Sequence, residues 1–250
     1  MRYEYYIELN SNEGMKLLRD KGSCYDRLKD FYQRECLAVY SEKDRTKFDE
    51  FLKKHEQFFY KPLAMDSAKN CCKMEAASVS FDKLFAQGAF ILEELIEQRG
   101  DFADFYNDAV NLIRIPLLKA KDGEVHLMGP FLTFGKDGMK AVNAGAGGII
   151  ATIEPETGVV IGNGWIEKNN TEYLFHPQTK KRIIGYEIPD WNEAVSICKK
   201  AAKLIPECNY LGFDLAQTKN GWVIIEANGY AQFLGQRDTE GLKDKMIKYL

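Results

Sequence analysis

From Glu13 to about Tyr40 the apolar residues Met15, Leu17, Leu18, Tyr25, Leu28, Phe31 and Tyr32 recur three and four positions apart, with a break near Gly22 and Ser23. That spacing puts them on one face of a helix, and the break predicts two helical segments in place of one. Lys43 to His55 repeats the pattern with Phe48, Phe51 and Leu52 on one face, and Ser41 stands where a helix cap is wanted. The first third of the chain thus reads as mainly helical.

After it the period shortens. FFYKPL, CKMEAASVS, AFILEELIEQ, VNLIRIPLLKA, EVHLMGPFLTFG, GGIIATIE and GVVIGNGW are short runs bounded by turn residues, the pattern of strands. Lys121 to Glu124 and Glu156 to Gly158 are turn sequences that predict hairpins. A helix is predicted from Asn192 to Leu204, with Asp190 as cap and Glu193 completing a capping box. Two last strands, NYLGFDLAQT and GWVIIEAN, flank the turn Lys219-Asn220-Gly221. Hairpin-linked strands with segregated helices predict an α+β layout with largely antiparallel sheets. The expected division is a mainly helical segment over 1–57, a first lobe over 58–96 and a second over 97–250, with the chain passing between lobes near Glu94 to Gln98.

Composition narrows the partners. A chain of 250 residues, 45% hydrophobic, can bury a substantial core. Its net charge of -3 gives no bulk attraction for nucleic acid or an anionic membrane, so a small molecule is the expected partner. The six cysteines show no disulfide framework and are read as reduced thiols. No apolar run reaches the roughly 20 residues that span a bilayer, and the polar start is unlike a secretory signal, so a cytoplasmic setting is expected.

The last hairpin carries the strongest chemical pattern. Glu226 and Asn228 share a face because they are two residues apart on a strand, and folding at Asn220-Gly221 brings Asp214 roughly opposite Glu226. Two carboxylates and an amide suit a hard cation such as Mg²⁺; the same acids would also suit a solvated hairpin. Lys61, between an aromatic strand and Pro62, can reach phosphate oxygens or simply extend to water. Arg114 sits on an apolar strand, where its fork can bind a terminal phosphate or a structural carboxylate, with Asn111 placed to orient it. Glu93, Glu94, Leu95 and Ile96 can offer backbone groups to an adenine edge and carboxylates to a ribose. Gly145 to Gly148 lacks the lysine of a P-loop and reads as a permissive turn. His176 is open to acid–base or structural use, and it shares no metal-ligand spacing with His55 or His126.

Taken in order, Asp20-Lys21, Tyr60-Lys61-Pro62, Glu93 to Ile96, Asn111 to Arg114, Asn143 to Gly148, His176-Pro177, Ile188 to Trp191, Gly212-Phe213-Asp214 and Ile225 to Asn228 resemble the ATP-grasp superfamily. The likeness is to its sugar-transfer-associated branch, related to glutamate ligases. The resemblance implies an ATP-grasp fold of two α/β lobes, with ATP and Mg²⁺ bound between them. It implies that Lys61 contacts the phosphates, that Glu93 to Ile96 form the adenine hinge, that Arg114 faces the γ-phosphate or substrate, and that Asp214, Glu226 and Asn228 hold magnesium. The implied activity is a carboxylate–amine ligase acting through an acylphosphate in cell-surface polysaccharide biosynthesis. Where the family has a glycine-containing loop after its lysine, this chain reads Leu63 to Asn70, in which Ser67 and Lys69 can still donate to phosphate and Asp66 would repel it. Many relatives carry an extra α/β domain ahead of the matched region, so the chain is expected to be a compact version or a fragment. Arg237 is a further candidate anion binder. The alternatives are an ATP-binding module without ligase activity and a phosphotransferase acting on a hydroxyl.

Overall fold

The computed structural model describes residues 9–63 and 70–250. Two helices open it, α1 (Asn12–Arg19) and α2 (Lys21–Tyr32). They break at Asp20, slightly ahead of the glycine that suggested the interruption. Its backbone is extended, and its carboxylate accepts from Gly22 N and Ser23 N at 3.0 and 3.2 Å, so one residue stops α1 and caps α2. Gly22 serves close packing, since a Cβ there would lie 2.5 Å from that of Ala38.

Next come β1 (Cys36–Val39), α3 (Arg45–Lys54), β2 (Gln57–Pro62), β3 (Cys72–Glu75), α4 (Phe81–Phe85) and β4 (Phe90–Glu94). Their four strands form one sheet in the order β1-β4-β2-β3. One face packs Phe58, Tyr60, Phe90 and Leu92 against Phe48 and Phe51 of α3 and Phe81 and Leu84 of α4. The sheet therefore recruits Cys36–Val39 from the stretch whose spacing suggested helix. A strand this short carries too few residues to set a period against the helices beside it. CKMEAASVS is strand only over Cys72–Glu75 and then tightens into a 3₁₀ turn at Ala76–Ser78.

The chain leaves the small sheet at Glu94, and by Gln98 it bridges Thr218 at the second sheet. The second sheet contains β5 (Leu112–Lys119), β6 (Val125–Leu127), β7 (Phe131–Phe134), β8 (Ile149–Thr152), β9 (Gly164–Trp165) and β10 (Glu172–Tyr173). After α5 (Trp191–Lys203), β11 (Tyr210–Thr218) and β12 (Gly221–Asn228) complete it, and α6 (Lys243–Tyr249) follows. The order is β10-β9-β8-β7-β5-β11-β12, with β6 paired to β5. All strand pairings among the described residues are antiparallel.

Helix α5 lays Trp191, Ala194, Cys198, Ala201 and Ala202, a three-and-four stripe, on one face of this sheet, against Ile113, Ile115, Phe213, Leu215 and Trp222. The capping box expected at its start does not form. Asp190 is left-handed at φ 50° and its side chain makes no cap bond, whereas a capping residue needs extended backbone. Two tryptophans anchor the chain there instead: Trp222 Nε1 donates to Pro189 O at 2.8 Å and Trp191 Nε1 to Pro155 O at 2.9 Å. Among the described residues no helix is long and apolar enough to cross a membrane.

Candidate functional site

The face of the second sheet opposite α5 and the uncovered face of the small sheet enclose a cavity of about 500 Å³. Strand alternation delivers its lining. On β2, Phe58 and Tyr60 go to the small core, so Phe59 and Lys61 face the cavity. On β4 the same alternation sends Phe90 and Leu92 to the core and Glu93 to the cavity side.

Lys61 and Glu93 are diagonal neighbours across the β2–β4 ladder, with Nζ 2.6 Å from Oε1. The other carboxylate oxygen accepts from Arg34 NH2 at 2.7 Å. All three residues are buried. Burial works against the charge on Glu93, but Lys61 and then Arg34 hold the carboxyl below its ordinary range. Burial likewise opposes the charge on Lys61, and Glu93 followed by Glu226 keeps it above the usual lysine value. An ammonium carries three donors, so Lys61 can keep Glu93 and still donate to an anion.

Across the cavity, Arg114, Asp214 and Glu226 lie in one row over three strands, since Asp214 pairs with Arg114 on one side and Glu226 on the other. Period two alone would not put Glu226 there. Trp222 and Ile224 face the core, and the next alternate residue is Glu226. The register slips between Asp214 and Leu215: Leu215 pairs with Ile224, Asp214 with Glu226, and Ile225 is the extra residue. This β-bulge shifts the alternation so that Glu226 and Asn228 turn to the cavity while Ala227 joins the core. Asp214 accepts from Arg114 Nε and NH2, both at 2.6 Å, and from Asn228 Nδ2 at 3.3 Å. Burial opposes the charge on Arg114, and Asp214 more than compensates, raising its pKa further. Glu226 is held more loosely, 3.7 Å from Lys21 Nζ.

Leu95, Ile96, Val110 and Leu112 give the cavity an apolar wall, and Lys140 to Ala144 approach from the loop before β8. A planar ring fits beside the first group and an anionic chain beside Lys61 and Arg114.

Residues 64–246 match the sugar-transfer associated ATP-grasp family. The chain belongs to that family. Solved structures agree on the fold. ATP-grasp ligase PsnB, complexed with minimal precursor, Mg and ADP, aligns at a TM-score of 0.57 and 17% identity, over 96% of this chain and 61% of that one. D-alanyl-alanine synthetase A from Vibrio cholerae gives 0.57 and 11%, over 96% and 65%. N5-carboxyaminoimidazole synthetase from Staphylococcus aureus, complexed with ADP, gives 0.55 and 10%, over 90% and 48%. The chain thus spans less than two thirds of each of these structures, and identities this low bear on fold alone. No curated protein matches.

Within this ATP-grasp fold the structure brings Lys61, Glu93, Glu94, Leu95, Ile96, Arg114, Asp214, Glu226 and Asn228 to one cavity. It does not bring Asn111, His176 or Arg237 there. Asn111 is fully buried and points away, its Nδ2 donating to the carbonyls of Phe102 and Tyr106 at 3.0 Å each; it orders the loop before β5 and leaves Arg114 to Asp214. His176 is buried beside Phe105 and Phe134, with Nε2 2.8 Å from Gly135 O and Nδ1 3.2 Å from Thr179 Oγ1. Burial lowers its pKa, which fits a neutral structural ring. Arg237 is engaged by Glu172 at 2.5 Å and lies over Trp165. Ser67 and the rest of 64–69 lie outside the described residues.

The carboxylate of Glu93 also has a different task from the ribose contact expected of it, because both oxygens are taken by Lys61 and Arg34. Glu94 lines the cavity while accepting from Glu35 N at 3.0 Å. Sequence reasoning passed over Arg34, Lys140, Tyr230 and Gln232. Arg34 is one charged residue in a polar turn, and only the folded chain shows it buried. A hard cation would find oxygen donors in Asp214, Glu226 and Asn228. Among the described residues no three His, Cys, Asp or Glu side chains gather as a metal group, and Asp214 would share its carboxylate between the cation and Arg114, so phosphate and water would have to complete the shell.

Proposed function

We propose that this chain binds ATP with Mg²⁺ in the inter-sheet cavity and uses it to join a carboxylate to an amine. The observation that carries the reading is the meeting, around one cavity, of two cations, a carboxylate–amide group and an apolar wall supplied by different sheets. In this reading the backbone of Glu94 to Ile96 receives the adenine and Lys61 contacts the phosphates. Arg114 faces the terminal phosphate or the carboxylate that attacks it, and Asp214, Glu226 and Asn228 hold the cation. When bound, Mg²⁺ supplies positive charge against the phosphate oxygens.

The chemistry that fits is two displacements. A substrate carboxylate oxygen attacks the γ-phosphorus, the bond to the β–γ bridging oxygen breaks, and ADP leaves. An amine nitrogen then attacks the acyl carbon of the acylphosphate, releasing phosphate and a proton. Lys61 and Arg114 are placed to offset charge in the first step, and orientation in a closed cavity contributes to both. The family's sugar-transfer association directs the search for acceptors first to saccharides and their precursors.

The test is calorimetric titration of ATP with and without Mg²⁺, with GTP as control, followed by ADP release and product mass over amine and carboxylate substrates. Mg-dependent, adenine-selective binding with a condensed product supports a ligase. A phosphorylated hydroxyl identifies a phosphotransferase, binding without turnover leaves a binding module, and no binding rejects the nucleotide site.

A further inference from the structure

We infer that Arg34 is a positioning residue for the nucleotide site, supplying Glu93 with its second cation and tying down the β12 bulge, so that Lys61 and Glu226 are presented to one ligand. The inference rests on the nucleotide reading above. Arg34 touches both halves of the site from a side chain only 4% exposed. NH2 donates to Glu93 Oε2 at 2.7 Å and to Ile225 O at 3.3 Å, and NH1 donates to Ile224 O at 2.7 Å and to Tyr32 O at 3.3 Å. Ile224 and Ile225 are the residues at which the β11–β12 register slips, immediately before Glu226. A planar guanidinium can hold a carboxylate and two successive carbonyls at once; an ammonium has no such fork.

The charge count gives Arg34 a role beyond packing. Arg34, Glu93 and Lys61 together carry one net positive charge against the cavity. Without Arg34 the remaining Glu93–Lys61 pair is neutral, and Lys61 is drawn to Glu93 in competition with phosphate. Removing the carboxylate as well returns one net positive charge, on Lys61 itself. A residue that only supports the fold predicts no such recovery.

The experiment is ATP titration of wild type, R34M, and the double variant R34M/E93Q, without and with Mg²⁺, with thermal midpoints measured alongside. Without Mg²⁺, R34M is expected to bind about tenfold or more weakly and R34M/E93Q to recover to within about threefold of wild type, whatever its midpoint, while the gain from Mg²⁺ stays reduced in both because neither holds the bulge. R34M binding as wild type does, or a double variant no better than R34M, overturns the inference. If R34M does not fold, R34K decides: it keeps the charge opposite Glu93 but not the grip on the bulge. Its metal-free ATP affinity should therefore stay near wild type while the gain from Mg²⁺ shrinks, and an unchanged gain overturns the inference. Failure of wild type to bind ATP rejects the nucleotide reading itself, a result distinct from either.

Discussion

Asp214→Asn and Glu226→Gln each remove one carboxylate from the same cross-strand row, and the structure separates their consequences. Asp214 is 4% exposed and gives both oxygens to Arg114. In Asp214→Asn the amide oxygen still accepts one N–H, but the guanidinium loses its contacting counter-charge and keeps only the weaker pull of Glu226. Removing one partner of a buried pair costs about 3 kcal/mol or more, and each kcal/mol moves the midpoint of a domain this size by about 2–4 °C, so a fall of about 6–12 °C is expected. Glu226 has a side chain 35% exposed and a looser partner in Lys21. An exposed pair of this kind contributes about 0–1 kcal/mol, so Glu226→Gln should stay within about 4 °C of wild type while losing most of the Mg²⁺ dependence of ATP binding. Differential scanning calorimetry without nucleotide, then titration with ATP with and without Mg²⁺, reads both quantities. A midpoint for Asp214→Asn within about 2 °C of wild type would refute the charge-balance argument. Unaltered Mg²⁺ dependence in Glu226→Gln would remove that residue from the cation site.

Asn111→Ala removes the side-chain donor to the carbonyls of Phe102 and Tyr106 and should cost about 2–4 kcal/mol in urea unfolding. ATP affinity should stay within about twofold of wild type; a stable variant with selectively weakened binding would return Asn111 to the site. His176 has a depressed folded pKa against an unfolded value of 6.5, so the folded protein binds that proton less readily than the unfolded chain. Its stability is fully present above 6.5 and is lost as pH falls through the folded value, so wild type should lose thermal midpoint between neutral pH and acid more steeply than His176→Gln. Parallel pH profiles for the two proteins would contradict the assignment. Gly158 has φ +75°, and a Cβ there would lie 2.4 Å from Trp191 Cγ, so Gly158→Ala should lose about 1–3 kcal/mol by chemical denaturation, and a neutral result would mean that the start of α5 yields.

Much of the fold was legible because long periodic elements repeat their signal. The stripe of α5 and the hairpin β11–β12 were each marked by many residues agreeing with one another, and the turn around Asn220 brought Asp214 near Glu226. Short elements had no such redundancy: β1, with four residues, lay hidden between two helices. Polar residues were the hardest to assign, because the same side chain serves a site or a fold according to what surrounds it. Asn111 and His176 looked like site residues and satisfy buried backbone and hydroxyl groups. Arg34, one charged residue in a polar turn, drew no assignment and is buried against Glu93.

The bulge shows why the closeness of Glu226 to Asp214 was readable while their exact pairing was not. The hairpin closes at Thr218 and Gly221, so an unbroken register would set Ile225 opposite Asp214, and strict alternation from Trp222 through Ile224 would send Glu226 toward the core. One extra residue, Ile225, moves Glu226 opposite Asp214 and turns it to the cavity. Its presence leaves irregular backbone beside the cavity, and the carbonyls of Ile224 and Ile225 are where Arg34 donates. The bulge that turns the Glu226 carboxylate to the cavity and the arginine that holds the partner of Lys61 are thus one structure. Its parts come from segments roughly 60 and 130 residues apart, distances at which local pattern carries no information.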